Sequence, residues 1–138
     1  MFIEGAIPHK FLEAAARVYH SGTGAHAIFI GRVRPDKKEE NEVDHIEFTA
    51  QQELASLTAD EIIHEAKQEF SILEAEIWHS LGNVPVGKAC FLVVVSGKHR
   101  KESFAALEYI VDEVKTRCAI FGREVFNDGT KAWKKNKT

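Results

Sequence analysis

The sequence predicts an α+β fold with a mainly antiparallel or mixed sheet. Apolar side chains recur at helical spacing in two long segments, and four other segments are rich in strand-forming residues. Near the C-terminus a favourable turn sequence, Asn127-Asp128-Gly129, separates two further candidate strands. The order of these elements along the chain indicates the α+β class.

The N-terminal third is predicted to contain a short helix and two strands. The helix is expected because apolar residues follow Pro8 at helical spacing. One strand contains the run Ile28-Phe29-Ile30, and in the other Ile46 and Phe48 alternate with polar residues. The predicted elements are a helix near residues 8–19, strands at 25–33 and around 45–48, and an exposed polar loop at 35–41.

Two amphipathic stripes predict the long helices. Thr58 and Glu61 have capping-box spacing at the start of the first stripe, although this helix has the composition to begin as early as Gln52. The second helix is expected at about residues 101–118. The stripes consist of Ala59, Ile62, Ile63, Ala66 and Phe70, and of Leu107, Ile110, Val111, Val114 and Cys118.

The remaining strands are predicted at 72–79, 88–96, 120–126 and 131–134. The almost continuously apolar run from Ala89 to Val95 indicates a central position in the sheet. Gly82, Pro85 and Gly87 are expected to mark the connection before that strand, and the last two strands are expected to form an antiparallel pair.

Composition limits the classes of function. A chain of 138 residues fits one domain, expected to span residues 1–138. Its net charge of −3 gives no overall support for binding nucleic acid, and an RNA-binding domain would also need an aromatic-rich basic strand. No stretch reaches the ~18 apolar residues of a membrane span, and the first residues, Met-Phe-Ile-Glu-Gly, lack the basic start and long apolar run that are typical of a secretion signal. We therefore expect a cytoplasmic protein.

The cysteines and histidines do not form a metal-binding pattern. Cys90 and Cys118 each lie beside apolar residues and outside any C-x-x-C pair, so we interpret both as buried small hydrophobic residues. The seven histidines are scattered, and the glycine pattern of a dinucleotide site is missing. We expect neither a metal nor a cofactor.

Three groups of basic residues are candidates for an anion site. Arg32 and Arg34 alternate at a predicted strand end, so their guanidinium groups are expected to point the same way and grip a phosphate. His99 and Arg100 precede a helix, whose first amides also favour anions. Lys115 lies at the edge of an apolar stripe, where an amine can act as a base. Each group also fits an ordinary surface charge.

Five segments, taken in order, resemble the successive signatures of the molybdopterin synthase catalytic subunit, the MoaE family. The C-terminal pairs Arg123-Glu124 and Trp133-Lys134 are similar to the end of the same pattern, so the resemblance covers nearly the whole chain. The five segments are 24–34 (GAHAIFIGRVR), 46–48 (IEF), Leu81-Gly82 with Gly87, 96–100 (SGKHR) with Phe104, and 112–117 (DEVKTR).

The resemblance implies an α/β hammerhead-type domain with a small additional antiparallel β subdomain. It implies a homodimer that carries a small ubiquitin-like sulfur-carrier subunit at each end, which makes a heterotetramer. The carrier's C-terminal Gly-Gly thiocarboxylate enters a pocket of the large subunit. There sulfur is transferred to cyclic pyranopterin monophosphate to form the dithiolene of molybdopterin. The implied activity is thus that of a sulfurtransferase in molybdenum cofactor biosynthesis.

The resemblance also implies site residues. Lys115 corresponds to a catalytic lysine, and Gly122 stands where the family pattern has its second active-site lysine. A His-Arg pair of the pattern is His79-Ser80 in this chain. The implied substrate-binding positions are Arg32, Val33, Arg34, His99, Arg100, Lys115, Gly122, Arg123 and Glu124.

The glycine at position 122 leaves two hypotheses. In one, the chain is a working synthase in which Arg123, or a lysine from residues 131–137 of this or a neighbouring subunit, supplies the missing charge. In the other, it is a catalytically impaired homologue that serves as a carrier-binding or pterin-binding module. The position of cations around Gly122 in the folded chain distinguishes these expectations.

Overall fold

The computed structural model describes residues 1–14 and 21–135, and the statements below concern those residues. Its helices and mainly antiparallel strands confirm the predicted α+β class. In chain order the elements are β1 (Phe2–Glu4), α1 (His9–Ala14), β2 (Ala25–Arg32), β3 (Lys37–Lys38), β4 (Asn41–Ala50), α2 (Gln52–Phe70), β5 (Glu74–Pro85), β6 (Ala89–Gly97), α3 (Arg100–Arg117), β7 (Ile120–Phe126) and β8 (Lys131–Trp133).

The strands form one sheet in the order β2-β6-β5-β4-β7-β8, with β1 beside β5 and β3 beside β4. Only β1 and β5 pair in parallel among the described strands. Strand β5 joins two sections, because residues 74–79 pair with β6 and residues 82–85 pair with β4. The section made by β4, β7 and β8 corresponds to the small additional antiparallel part that the resemblance implied.

Strand β6 is buried along its whole length. Val93 and Val95 belong to the main core, which also contains residues of α2 and α3. Leu92 and Val94 belong to a smaller cluster on the other face, built with the N-terminal segment. A strand covered on both faces has no solvated side for polar residues, so the predicted central position is confirmed.

The two long helices occur where the stripes predicted them. Helix α2 begins at Gln52, the earlier of the two possible starts. Thr58 therefore lies inside the helix, and its hydroxyl donates a hydrogen bond to the carbonyl of Leu54 at 2.9 Å. The interpretation of Thr58 as a capping residue is wrong, because a threonine can satisfy its hydroxyl on the preceding turn as well as on a helix end.

Other boundaries differ from the predictions where pairing depends on distant residues. Strand β1 was not predicted, and three residues suffice there because β5 provides the partner. Lys37–Lys38 pairs with residues 41–42 inside the segment expected to be a loop. Strand β5 continues past Gly82, which adopts a φ of 77° that glycine tolerates. The predicted first helix is present at His9–Ala14, and its continuation from 15 to 19 lies outside the described residues.

None of the helices in the described part of the chain is both long enough and apolar enough to cross a bilayer.

Candidate functional site

A cavity of about 420 Å³ lies where the C-terminal end of α3 meets the sheet. Aromatic rings form much of its wall, contributed by Phe29, Phe48 and Phe91. Its positively charged residues are Arg32 on β2, Lys115 on α3 and Lys134 directly after β8. A largely apolar wall with a few cations is the usual composition of a site for an organic anion.

His79 reaches this cavity from β5 and lies between two aromatic rings. Its ring centroid is 4.9 Å from that of Phe48 and 5.3 Å from that of Phe91. Nδ1 donates a hydrogen bond to the carbonyl of Ser80 at 2.8 Å, which assigns the proton to Nδ1 in the neutral ring. Burial lowers the pKa of His79 to about 4, and the nearby Lys134 and Lys115 act in the same direction. The ring is therefore neutral at neutral pH.

Sequence reasoning did not select His79 as a site residue. The only signal was its place in the family pattern, where it begins the pair His79-Ser80. A histidine in a strand with alternating burial is more often part of the core, and His79 does pack as a core residue on one side.

Cys90 also lines the cavity, with its thiol directed at the carbonyl of Gly31, 3.6 Å away. Burial raises the pKa of this thiol. Cys118 is likewise buried, and burial raises the pKa of its thiol as well. Both cysteines are small buried residues as predicted, and Cys90 enters the cavity as a neutral thiol rather than as a nucleophilic thiolate.

The two lysines approach the cavity from different elements. Lys115 lies in the last turn of α3. Lys134 is half-buried, and burial lowers its pKa, with a further lowering from the positive charges of Lys115 and Arg34. A lysine whose charge is partly withdrawn from water interacts more strongly with an anion than a fully solvated lysine does.

Arg32 and Arg34 do not point into the same space. Arg32 lines the cavity, and its Nη1 donates to the carbonyl of Gly87 at 2.9 Å. Arg34 lies beyond the end of β2, forms an ion pair with Asp36 at 3.2 Å, and lines an adjoining groove. Both arginines are exposed on either side of the buried Val33, so they alternate as predicted, but β2 ends at Arg32 and Arg34 lies beyond the paired strand.

Val33, between these arginines, is fully buried in the main core. Its backbone N–H donates to the carbonyl of Lys88, and its carbonyl accepts from the N–H of Gly87. These bonds hold the chain between Arg32 and Arg34 against the turn that precedes β6. Val33 thus positions its neighbours, while its own side chain faces away from solvent.

His99 and Arg100 lie at the other end of α3 from Lys115. His99 is the N-cap of the helix, and both residues are exposed. Helix α3 has 18 residues, so its two ends are roughly 25 Å apart. Within one subunit, therefore, the structure does not bring His99 and Arg100 to the cavity that contains Lys115.

Comparison with known proteins agrees with the fold. The family described as MoaE protein matches residues 7–117. The chain belongs to the MoaE family. It is 44% identical over 117 residues to the molybdopterin synthase catalytic subunit of Pyrococcus abyssi, which covers 85% of this chain and 78% of that protein. Membership of this family places the chain in molybdenum cofactor biosynthesis.

Two solved structures have a similar fold. The crystal structure of molybdopterin synthase from Staphylococcus aureus matches with a TM-score of 0.86 and 23% identity, covering 98% of this chain and 96% of that chain. A complex of subunits 1 and 2 of the molybdopterin-converting factor from Helicobacter pylori contains a chain that matches with a TM-score of 0.77 and 26% identity. This match covers 99% of the MoaE-family chain described here and 90% of the other.

The C-terminal site positions of this MoaE-family chain lie on both faces of β7. Gly122 lines the cavity, and Glu124 lines the adjoining groove together with Arg34. Arg123 points to the other face, where its Nη2 donates to the carboxylate of Glu47 at 2.6 Å. Strand alternation thus separates Arg123 from Gly122 and Glu124.

Among residues 1–14 and 21–135 there is no cluster of three or more His, Cys, Asp or Glu side chains arranged to hold a metal ion.

Proposed function

We propose that this chain is the catalytic subunit of a molybdopterin synthase. In this proposal it is a sulfurtransferase that moves sulfur from a thiocarboxylated carrier subunit to cyclic pyranopterin monophosphate. The observation that carries the proposal is the cavity at the end of α3, where Lys115 and Lys134 stand among aromatic rings. Both reactants are anions, and a cation partly withdrawn from water, as the half-buried Lys134 is, attracts an anion more strongly than a cation in bulk solvent does.

The proposed reaction has two stages at each substrate carbon that receives sulfur. First, the thiocarboxylate sulfur forms a bond to that carbon, and an oxygen substituent leaves it. Water then cleaves the acyl–sulfur bond, which releases the carrier as a carboxylate and leaves the sulfur on the substrate. Two carrier molecules supply the two sulfurs of the dithiolene.

Lys115 is the proposed catalytic residue in both stages. Negative charge develops on the leaving oxygen in the first stage and on the carbonyl oxygen of the carrier in the second. An ammonium group beside these oxygens stabilises that charge and can donate a proton to the leaving oxygen. Cys90 has no part in this scheme, because the sulfur stays on the carrier until it attacks the substrate.

The groove beside the cavity is the proposed phosphate site. It is lined by Arg34 and Glu124 and is continuous with the cavity through Trp133 and Lys134, which line both. Arginine is suited to phosphate because its planar donors match two phosphate oxygens. This assignment leaves the cavity itself to the carrier's C-terminal Gly-Gly, which has no side chains to accommodate.

The proposed assembly is a homodimer with one carrier subunit on each large subunit. The Helicobacter pylori complex of subunits 1 and 2 supports the existence of a small partner. In this assembly His99 and Arg100 of one copy contribute to the cavity of the other copy. The proposal is based on their exposure and on their distance from Lys115 of their own subunit.

The direct test is a reconstitution with a thiocarboxylated carrier and cyclic pyranopterin monophosphate, with the dithiolene product followed by mass spectrometry. Wild-type protein should form product, and Lys115→Ala should lower kcat about 100-fold, the usual cost of losing one group that stabilises an oxyanion. Lys10→Ala, an exposed change on α1, is the matched control for loss of one positive charge.

No product above a carrier-free control would refute the synthase function. If the wild-type protein then still binds the carrier, the alternative of a carrier-binding module with impaired chemistry is correct. The specific observation behind this alternative is Gly122 in place of a lysine.

A further inference from the structure

Lys134 and Gly122 are cross-strand neighbours. Strands β7 and β8 pair Arg123 with Trp133, so the next pair in the same register is Gly122 with Lys134. The backbone N–H of Lys134 donates to the carbonyl of Gly122 at 2.8 Å. Directly opposed residues send their side chains to the same face, with Cβ atoms about 5 Å apart. A side chain at 134 therefore begins beside the point where a side chain at 122 would begin.

The face shared by these two residues is the one that borders the cavity. Gly122 pairs with Phe48 on its other side, and all three residues line the cavity. Lys134 is half-buried there, and burial followed by the charge of Lys115 lowers its pKa. The ammonium group of Lys134 is thus electrostatically coupled to that of Lys115.

A side chain at position 122 would crowd the wall of the cavity. A Cβ atom on Gly122 would lie 3.1 Å from Cγ2 of Ile46 and 3.1 Å from Cε1 of Phe48, which is tighter than normal van der Waals contact. The Phe48 ring is itself packed against His79, 4.9 Å away between centroids. A lysine that starts at position 134 enters the cavity without displacing Ile46 or Phe48.

The other described cations of β7, β8 and the residues that follow β8 do not line the cavity. Arg123 binds Glu47 on the opposite face of the sheet. Lys131 also approaches Glu47, at 3.4 Å. Lys135 is exposed. Of the cations that these hypotheses name within the described residues, Lys134 is therefore the one that lines the cavity.

We propose that Lys134 is a second substrate-binding lysine of the cavity. Its ammonium group takes the place of the one that a lysine at position 122 would supply, and it comes from the neighbouring strand pair position instead of from β7 itself. The inference rests on the proposed function, because it names the binding group of that same site. The group bound is an oxyanion at the junction of cavity and groove, either the carrier's terminal carboxylate or the substrate's phosphate.

The test compares Lys134→Met with Lys131→Met in the reconstituted reaction. Methionine keeps a similar length and removes the charge. Lys131 is the matched control, because it lies on β8 and faces away from the cavity. We expect Lys134→Met to lower kcat/KM at least about 10-fold, the effect of losing a hydrogen bond to a charged group, while Lys131→Met stays near the wild-type value.

The KM values identify the oxyanion. A rise in KM for the carrier alone assigns Lys134 to the terminal carboxylate, and a rise for the pterin alone assigns it to the phosphate. The pH profile adds a readout that a purely structural role would not change. Activity should decline at alkaline pH as Lys134 loses its proton, and Lys134→Met should lack this part of the decline, so that its residual activity persists to higher pH than that of the wild type. The charged or titratable groups that face Lys134 are Arg34, His79, Cys90, Lys115 and Glu124.

Unchanged kinetics in a folded Lys134→Met protein would overturn the inference and leave the synthase function intact. Circular dichroism establishes folding, and Lys134→Gln replaces Lys134→Met if the latter is unfolded. If the wild-type protein makes no product, inorganic phosphate and the dipeptide glycylglycine are the probes, with the fluorescence of Trp133 followed in a Trp78→Phe background. Binding of either probe that Lys134→Met weakens then supports the inference without the reaction, and the absence of such binding for both probes overturns it.

Discussion

The guanidinium group of Arg123 binds the carboxylate of Glu47, with Nε at 3.0 Å and Nη2 at 2.6 Å from Oε2. The same guanidinium lies over the ring of Trp133, 5.6 Å from its centroid. Lys131 approaches the other oxygen of Glu47 at 3.4 Å. One carboxylate on β4 therefore contacts residues of β7 and β8, and its shorter bonds are to Arg123.

Glu47→Gln should lower the melting temperature by a few degrees, because the glutamine keeps the shape of the side chain and loses the charge that binds Arg123. Hydrogen bonding from Arg123, followed by the charge of Lys131, lowers the pKa of Glu47 below its ordinary 4.5. The stabilisation is therefore complete above pH 4.5 and is lost as the pH falls through the lower folded-state value.

Thermal unfolding of both proteins between pH 3 and pH 7 measures this effect, with Glu40→Gln in the exposed turn as the control. The difference between wild type and Glu47→Gln should shrink towards acidic pH. A difference that grows in that direction would contradict the assigned ion pair.

His79 should make the free energy of unfolding depend on pH. Burial lowers its pKa from 6.5 to about 4, so between these values the unfolded chain binds a proton that the folded protein does not. The contribution of His79 to the free energy of unfolding is therefore greatest above pH 6.5, and it falls by up to about 3 kcal/mol as the pH approaches 4. Denaturant unfolding of the wild type and of His79→Gln, at several pH values in this window, measures the effect.

The glutamine variant should lose most of that pH dependence, whereas His9→Gln, at an exposed site on α1, should keep it. Equal pH dependence in wild type and His79→Gln would mean that folding does not lower the pKa of His79.

Subunit mixing tests whether His99 and Arg100 serve the site of a second copy. Lys115→Ala and Arg100→Ala should each be nearly inactive as homodimers. In a mixed dimer, one cavity combines an intact Lys115 with an intact Arg100 from the other subunit. Random mixing would then restore roughly a quarter of the wild-type activity.

The mixture is prepared by partial unfolding and refolding, and its activity is compared with that of each variant treated alone. No gain on mixing would show that Arg100 acts within its own subunit or outside the site.

The sequence alone was sufficient for the fold class and for most elements, because their signals are local. The apolar stripes of α2 and α3 and the continuous apolar run of β6 each report burial over consecutive residues. Strand β1 and the far half of β5 were missed, since both depend on partners distant in sequence. The family was also readable from the order of short segments, and the MoaE match confirms it.

The composition of the site was decided by the tertiary structure. Strand alternation directs Arg123 to Glu47, the end of β2 leaves Arg34 in a different depression from Arg32, and the length of α3 separates Arg100 from Lys115. Gly122 was visible in the sequence as a missing lysine, but its partner was not. Residues 122 and 134 become neighbours only through the register of β7 and β8, and that register, a relation between two strands, sets which side chains share a face of the sheet.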